Sequence, residues 1–303
     1  NLSNLKRAPG FPGALLLFHQ INSVTLTLLV ANYLLGERYC MPYLVTPDKT
    51  PLYYHQEGDL TNPEILFIHG EPFNTKFWAK NISTLSRDFR IISLDVRGRG
   101  ESGKTDNGQT LDQMGRDLRF VIETLGLKNV VVVGWSMGAA IIWSYIRQFG
   151  ELGIAGFVDV DQRPYRFRSY DELESRLASL GEKRLASHRS TIEEYFGPEF
   201  PVASETIDWM AYECMKTPTS IHRAAVIESY TADYRPVLPM INVPSLILWA
   251  KYGVISSDWA KFLNNNIRNS RLVYFEHSGH MLPWTEPDKF NQEIRQFASQ
   301  LIT

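Results

Sequence analysis

The 303-residue sequence predicts an α/β fold, a mostly parallel sheet with helices on both faces. Three observations carry that expectation. Strand-like and helix-like segments alternate along the chain. Several strand segments are continuous β-branched or leucine runs, as strands buried on both faces require. The composition, 44% hydrophobic and 21% charged, is ordinary for one large globular domain or two small ones.

Eight strands are expected, at Met41–Thr46, Leu52–His55, Ile65–His69, Ile91–Val96, Val130–Gly134, Ala155–Val160, Ser245–Trp249 and Leu272–Phe275. Helical periodicity appears at Thr110–Leu125, Gly138–Phe149, Asp258–Asn265 and Pro287–Leu301, with Thr110 a natural N-cap. The alternation stops between Tyr165 and about Leu238, where the chain is charged, aromatic and helical. "SYDELESRLASLGEKRLASHR" and "SIHRAAVIESYTADY" are its clearest amphipathic pieces. Strands resume afterwards, so residues 165–238 read as an insertion into a core made of 40–164 and 239–303.

Residues 1–39 are a separate matter. Lys6 and Arg7 precede a charge-free stretch from Ala8 to Gly36, which a signal peptide or anchor would resemble. His19, Gln20, Asn22, Ser23 and Asn32 interrupt it, leaving no unbroken run of about 18 apolar residues. The expectation is an N-terminal helical extension packed on the domain or across a homodimer, with no stable membrane span and a cytoplasmic location. The net charge of −2 supplies no field that would recruit nucleic acid or anionic membrane. Cys40 and Cys214 are too few and too separated for a disulfide framework or a zinc site. They read as buried thiols in a reducing compartment.

"VRGRGESGKTDNG" at 96–108 contains the phosphate-loop spacing G-x-x-x-x-G-K-[ST], ending at Lys104 and Thr105. That motif works only when a helix begins at once, so that its amides and dipole face the phosphates. Asp106-Asn107-Gly108 is a turn signal instead, and the next helix starts near Thr110. "FVDVD" at 157–161 could pass as the partner magnesium strand, but hydrophobic runs ending in Asp are common. Without that context the spacing is only a hypothesis.

"VVVVGWSMGAA" at 130–140 holds G-x-S-x-G, Gly134 to Gly138, between a strand and an apolar helix. In that context the glycines permit a sharp turn that lifts Ser136 above the sheet edge, and the helix dipole favours negative charge there. Ser136 is the candidate nucleophile.

Further motifs make the sequence recognisable: "FIHGEPFNTKFW" (67–78), "LDVRGRGES" (94–102) and "FEHSGHMLPWTEPDKFNQEIRQFA" (275–298). With the serine motif they resemble the α/β-hydrolase superfamily, haloperoxidase/esterase-like branch, over about residues 40–303. The resemblance implies a mostly parallel eight-stranded α/β-hydrolase sheet, with a helical cap inserted after the sixth strand. It makes 94–102 a structural loop, Ser136 the nucleophile and His280 its general base, with His277 a structural or pocket residue. It places the oxyanion hole at the backbone N–H groups of Glu71 and Met137. It implies no cofactor and no metal.

Two positions depart from the family pattern. The acid normally follows the seventh strand, in a pattern like W-G-x-x-D; "LILWAKYGVISSD" puts Gly253 there. Some relatives take the acid from the end of the sixth strand, where "IAGFVDVDQRP" supplies Asp161. Asp258, Asp159 and a Ser–His dyad without an acid remain as alternatives. The second departure is Glu71, a carboxylate beside the oxyanion position. Its side chain either points away or is kept neutral by burial.

The insertion is rich in aromatics, among them Tyr165, Phe167, Tyr170, Tyr195, Phe196, Trp209, Tyr212 and Tyr230, which could build a largely apolar pocket with a few polar anchors. Glu71, Trp135, Tyr165 and Trp209 are the pocket candidates. The function expected is a cofactor-independent serine hydrolase. Its small-molecule substrate would be an ester or lactone of a moderately sized apolar or aromatic compound, cleaved through an acyl-Ser136 intermediate. One alternative is a lyase, cyclase or C–C-bond enzyme using Ser136 and His280 as acid–base groups; another is a ligand receptor on the same scaffold.

Overall fold

The computed structural model describes residues 42–166, 169–181 and 183–301. The extension expected at 1–39, Cys40 and Phe167 lie outside the described residues. All eight expected strands are present: β1 (Tyr43–Val45), β2 (Pro51–Glu57), β3 (Glu64–Ile68), β4 (Arg90–Leu94), β5 (Val130–Trp135), β6 (Ile154–Val160), β7 (Ser245–Tyr252) and β8 (Ser270–Gly279). They form one sheet in the order β1-β2-β4-β3-β5-β6-β7-β8. The β1–β2 and β2–β4 pairs are antiparallel, and every later pair is parallel.

The helices are α1 (Ile82–Leu85), α2 (Leu111–Thr124), α3 (Met137–Phe149), α4 (Tyr170–Ala178), α5 (Arg184–Phe196), α6 (Ser204–Met215), α7 (Thr219–Thr231), α8 (Ser257–Asn266), α9 (Leu282–Thr285) and α10 (Pro287–Leu301). Thr110 caps α2, its hydroxyl accepting from Gln113 N–H at 3.2 Å. No helix follows Thr105 directly, and Lys104 Nζ donates to the carbonyls of Gly100 and Ser102. The 94–102 loop is internally closed instead: Asp95 accepts from the amides of Thr75 and Glu101, each at 2.6 Å.

The two sheet faces carry separate apolar layers. Leu66, Val130 and Val132 face α2 and α3, while Phe67, Val131 and Val133 face the 75–78 turn, α1 and α10. Val130–Val133 are all fully buried, which is why β5 reads as an unbroken apolar run. At the parallel end, chain order reverses beside β3, whose neighbours are β4 and β5. Ligand sites in such sheets lie beyond the strand C-termini at that switch. Gly70, Ser136, Asp161 and His280 follow β3, β5, β6 and β8 there.

Helices α4 to α7 all lie between β6 and β7, where the insertion was expected. Ile192, Phe196, Ile207 and Met210 from α5 and α6 join the second apolar layer, and Ala225 from α7 joins the first. Among the described residues no helix is long and apolar enough to cross a membrane.

Candidate active site

Ser136 sits between β5 and α3 with φ 53° and ψ −122°, a conformation that L-residues with a side chain rarely adopt. The flanking glycines explain how it is held. A Cβ on Gly134 would lie 2.4 Å from Ala139 N, and one on Gly138 would lie 2.2 Å from Ile68 O. The bend therefore closes only without those side chains. Ser136 N–H donates to Val160 O at 3.0 Å, tying the bend to the end of β6.

His280 is 1% exposed, and its Nδ1 lies 2.7 Å from Asp161 Oδ2. That oxygen also accepts Val254 N–H at 3.0 Å, and Asp161 Oδ1 takes Ala250 N–H at 3.4 Å. An oxygen already taking an amide proton is an acceptor, so the His280 proton rides on Nδ1 and Nε2 keeps its lone pair. Asp161 itself has φ 53°, a strained setting for a residue other than glycine. Gly253 accounts for the room it occupies: a Cβ there would stand 2.3 Å from Asp161 Oδ2. The carboxylate from β6 fills the space beside the residue where the pattern normally places an acid.

The other carboxylates do not reach the imidazole. Asp258 is exposed in the first turn of α8. Asp159 is buried, accepts Gln162 N–H at 3.1 Å, and leaves Oδ2 without a partner. Burial pushes its pKa well above the usual carboxylate range. His277 pairs with Glu199 at 2.7 Å on the surface.

Trp135 connects the serine bend to His280. Its Nε1 donates to His280 O at 2.8 Å, and its ring lies 5.0 Å from the imidazole. Among the described residues no hydrogen bond joins Ser136 Oγ to His280, a looseness common in sites without substrate. Tyr195 of α5 meets the other edge of His280, with ring centroids 4.7 Å apart.

The loop after β3 is held by His69. Its Nε2 accepts Val96 N–H at 3.0 Å, so Nδ1 donates to Gly70 O at 2.8 Å. Burial lowers its pKa to about 3, and the ring is neutral. Met137 is the first residue of α3, so its N–H has no intrahelical acceptor. Among the described residues neither Met137 N–H nor Glu71 N–H is engaged by the protein.

The Glu71 side chain pairs with Arg99, whose Nε donates to Oε2 at 2.7 Å. Arg99 is fully buried and also donates to Gln109 and to Arg97 O. Burial pushes the Glu71 carboxyl upward and the guanidinium pulls it back. Losing the carboxylate charge would strand a buried cation, so the ion pair is the stable form.

A cavity opens over Ser136, and nine of its twelve lining residues carry polar side-chain groups. The largely apolar pocket expected from the sequence is therefore not what surrounds the serine. A second cavity shares Met137, Gln162, Arg166, Ala225 and Ser229 with the first. The rest of its lining mixes Leu111, Met114, Ala140 and Ala232 with Tyr165, Tyr234, Gln109, Arg163 and Glu228.

The pocket candidates separate accordingly. Glu71 lines the Ser136 cavity, and Tyr165 lines the second. Trp135 does not line either; it is fully buried, stacked on Phe77 at 3.8 Å beneath the site. Trp209 packs against Trp284 at 5.9 Å and also lies outside both. Of the remaining aromatics, Tyr195 and Tyr230 reach the Ser136 cavity, while Tyr170 and Tyr212 point to solvent. Arg166, Arg176 and His222 also line the cavity, and no motif or spacing singles them out. Cys214 is buried, and burial raises its thiol pKa far above the ordinary range. Among the described residues no cluster of three or more His, Cys, Asp or Glu side chains is arranged to hold a metal.

This geometry has relatives. Residues 63–186 match the model of the alpha/beta hydrolase fold family. A non-heme haloperoxidase of Rhodococcus erythropolis is 31% identical over 273 residues, covering 85% of this chain and 99% of its own. The chain belongs to the α/β-hydrolase superfamily. As such a hydrolase it is also 29% identical over 271 residues to the AB hydrolase superfamily protein YisY of Bacillus subtilis, across 85% of this chain and 98% of that one. In fold it is similar to the esterase EaEST of Exiguobacterium antarcticum, with a TM-score of 0.80, 24% identity, and coverage of 85% and 98%.

Proposed function

We propose that this α/β hydrolase is a serine hydrolase that cleaves an ester or lactone through an acyl-Ser136 intermediate. Helices α4 to α7 act as its cap. The observation that carries the reading is the Asp161–His280 pair, at 2.7 Å, beside a strained Ser136. Named relatives that are esterases and haloperoxidases support the ester class.

In this mechanism Ser136 Oγ attacks the acyl carbon while His280 Nε2 takes its proton. A serine hydroxyl is a weak nucleophile at neutral pH and needs that base. Asp161 holds the imidazole tautomer and stabilises the imidazolium that forms. The free amides of Glu71 and Met137 receive the oxyanion, each contributing about 3 kcal/mol to the barrier reduction. His280 returns the proton to the leaving alkoxide, and water then releases the acyl group by the same path. The second cavity would hold the apolar or aromatic part of a moderately sized substrate.

The test is labelling with a fluorophosphonate probe, which phosphonylates an activated serine. Wild type should label once, at Ser136, and Ser136→Ala should neither label nor turn over p-nitrophenyl esters, with a loss of roughly 10⁴-fold or more. Ester turnover that survives Ser136→Ala would instead favour acid–base chemistry without a covalent intermediate.

A further inference from the structure

Charge in the Ser136 cavity is unevenly answered. Its one carboxylate, Glu71, is engaged by Arg99. Arg166 and Arg176 line the same cavity, and among the described residues neither forms an ion pair with a carboxylate. Arg166 Nε is buried with no acceptor at all. Its guanidinium stands over the Tyr230 ring at 4.7 Å, which fixes its plane. Tyr230 Oη donates to Glu172 Oε1 at 2.9 Å. Arg166 and Arg176 also line a neighbouring cavity together with Arg163, Glu172 and Glu194, and among the described residues neither guanidinium is within ion-pair distance of those two carboxylates.

His222 adds a second unmet polar atom, Nδ1, on the same wall. Burial, helped by His188 and by the positive fields of Arg176, Arg99 and Arg184, lowers its pKa to about 2. The imidazole is therefore neutral and does not add to the charge. Two guanidiniums without an ion-paired carboxylate, one of them with a desolvated N–H, form a site suited to an anion. A planar two-oxygen group matches the guanidinium fork.

Resting on the serine-hydrolase reading, we infer that the substrate carries a carboxylate, bound by Arg166 and Arg176, while its ester or lactone carbonyl meets Ser136.

The experiment compares two p-nitrophenyl esters of equal length, the glutarate half-ester, which bears a carboxylate, and the neutral pentanoate. Wild type should favour the half-ester at least tenfold in kcat/KM, and salt should shrink that preference. Arg176→Gln and Arg166→Gln should each cut the selectivity ratio about tenfold, through KM, while Arg176→Lys retains part of it. Arg176→Glu should shift preference towards an ammonium-bearing ester.

A purely structural arginine would lower both rates together and leave the ratio intact, which would overturn the inference. So would a wild-type ratio near one. Should the variants fail to fold, wild type alone decides: glutarate should inhibit competitively and glutaramide should not. Fluorophosphonate labelling separates the two readings. If Ser136 labels and the neutral ester turns over without carboxylate preference, only the anion site is lost; if neither occurs, the hydrolase reading falls too.

Discussion

On the sheet side of the Ser136 cavity, both oxygens of Asp161 accept hydrogen bonds and both nitrogens of His69 are paired. Asp159 Oδ2 and Glu71 Oε1, by contrast, are buried without hydrogen-bond partners among the described residues. On the side built from the inserted helices, Arg166 Nε and His222 Nδ1 are buried and unpaired. The difference teaches where each task resides. Groups that must hold one tautomer or one charge through turnover are pinned by the rigid strand ends. Groups left unsatisfied on the helical side hold hydrogen-bonding capacity that a bound molecule can complete.

The largest effect belongs to the sheet side. Asp161→Asn keeps the shape but offers an amide where His280 needs an acceptor, so kcat should fall about 10⁴-fold with little change in KM. A loss under tenfold would mean that the pair at 2.7 Å is structural only. The Asp161→Gly/Gly253→Asp double variant moves the acid to the usual position after β7. Steady-state kinetics should show it at least tenfold more active than Asp161→Gly alone.

Glu71 lies where the two sides meet. Glu71→Gln preserves a hydrogen bond to Arg99 but removes the charge opposing a fully buried cation. Urea unfolding should show a loss of about 3 kcal/mol or more. Were Glu71 instead a neutral acid, its amide would be a near-perfect mimic and stability would hardly change.

Next in size is Gly253→Ala, whose new Cβ would fall 2.3 Å from Asp161 Oδ2. The carboxylate must move, and misplacement on this scale costs about 100-fold in kcat. Asp161→Asn combined with Gly253→Ala should then be little worse than Asp161→Asn alone, because both changes act on one contact.

These variants also mark what the sequence reveals. The bend at Ser136 is legible because glycine spacing, a preceding apolar run and a following helix are all local signals. The eight strands are legible for the same reason, being continuous or alternating apolar runs. The partner of His280 is not, since three carboxylates fit the spacing and only the packing of β6 against β7 sets Asp161 apart. Gly253 is a clue in hindsight: a glycine at an acid's position means another side chain has taken the space. Trp135 misleads because its motif position suggests the pocket, whereas strand alternation turns the ring down onto Phe77. Arg166, Arg176 and His222 come from a loop and two helices, and nothing in their spacing links them.

The smallest effect tests the helical side by pH. His188 of α5 is buried and stacked on His222, with ring centroids 5.4 Å apart. Burial, with Arg184 and Arg176 nearby, lowers its pKa from 6.5 to about 4. The unfolded chain therefore binds a proton that the folded chain refuses throughout that interval. Stability contributed by the neutral ring is full above about pH 6.5 and is lost as pH falls towards 4. At pH 5 the loss amounts to about 2 kcal/mol. His188→Phe keeps an aromatic ring that cannot be protonated, so its unfolding free energy should fall less between pH 7.5 and pH 5 than that of wild type. If the two curves run parallel, acid sensitivity arises elsewhere. If they diverge, protonation of His188 on the inserted helices is one source of the molecule's acid sensitivity, beside the buried neutral His69 on the sheet side.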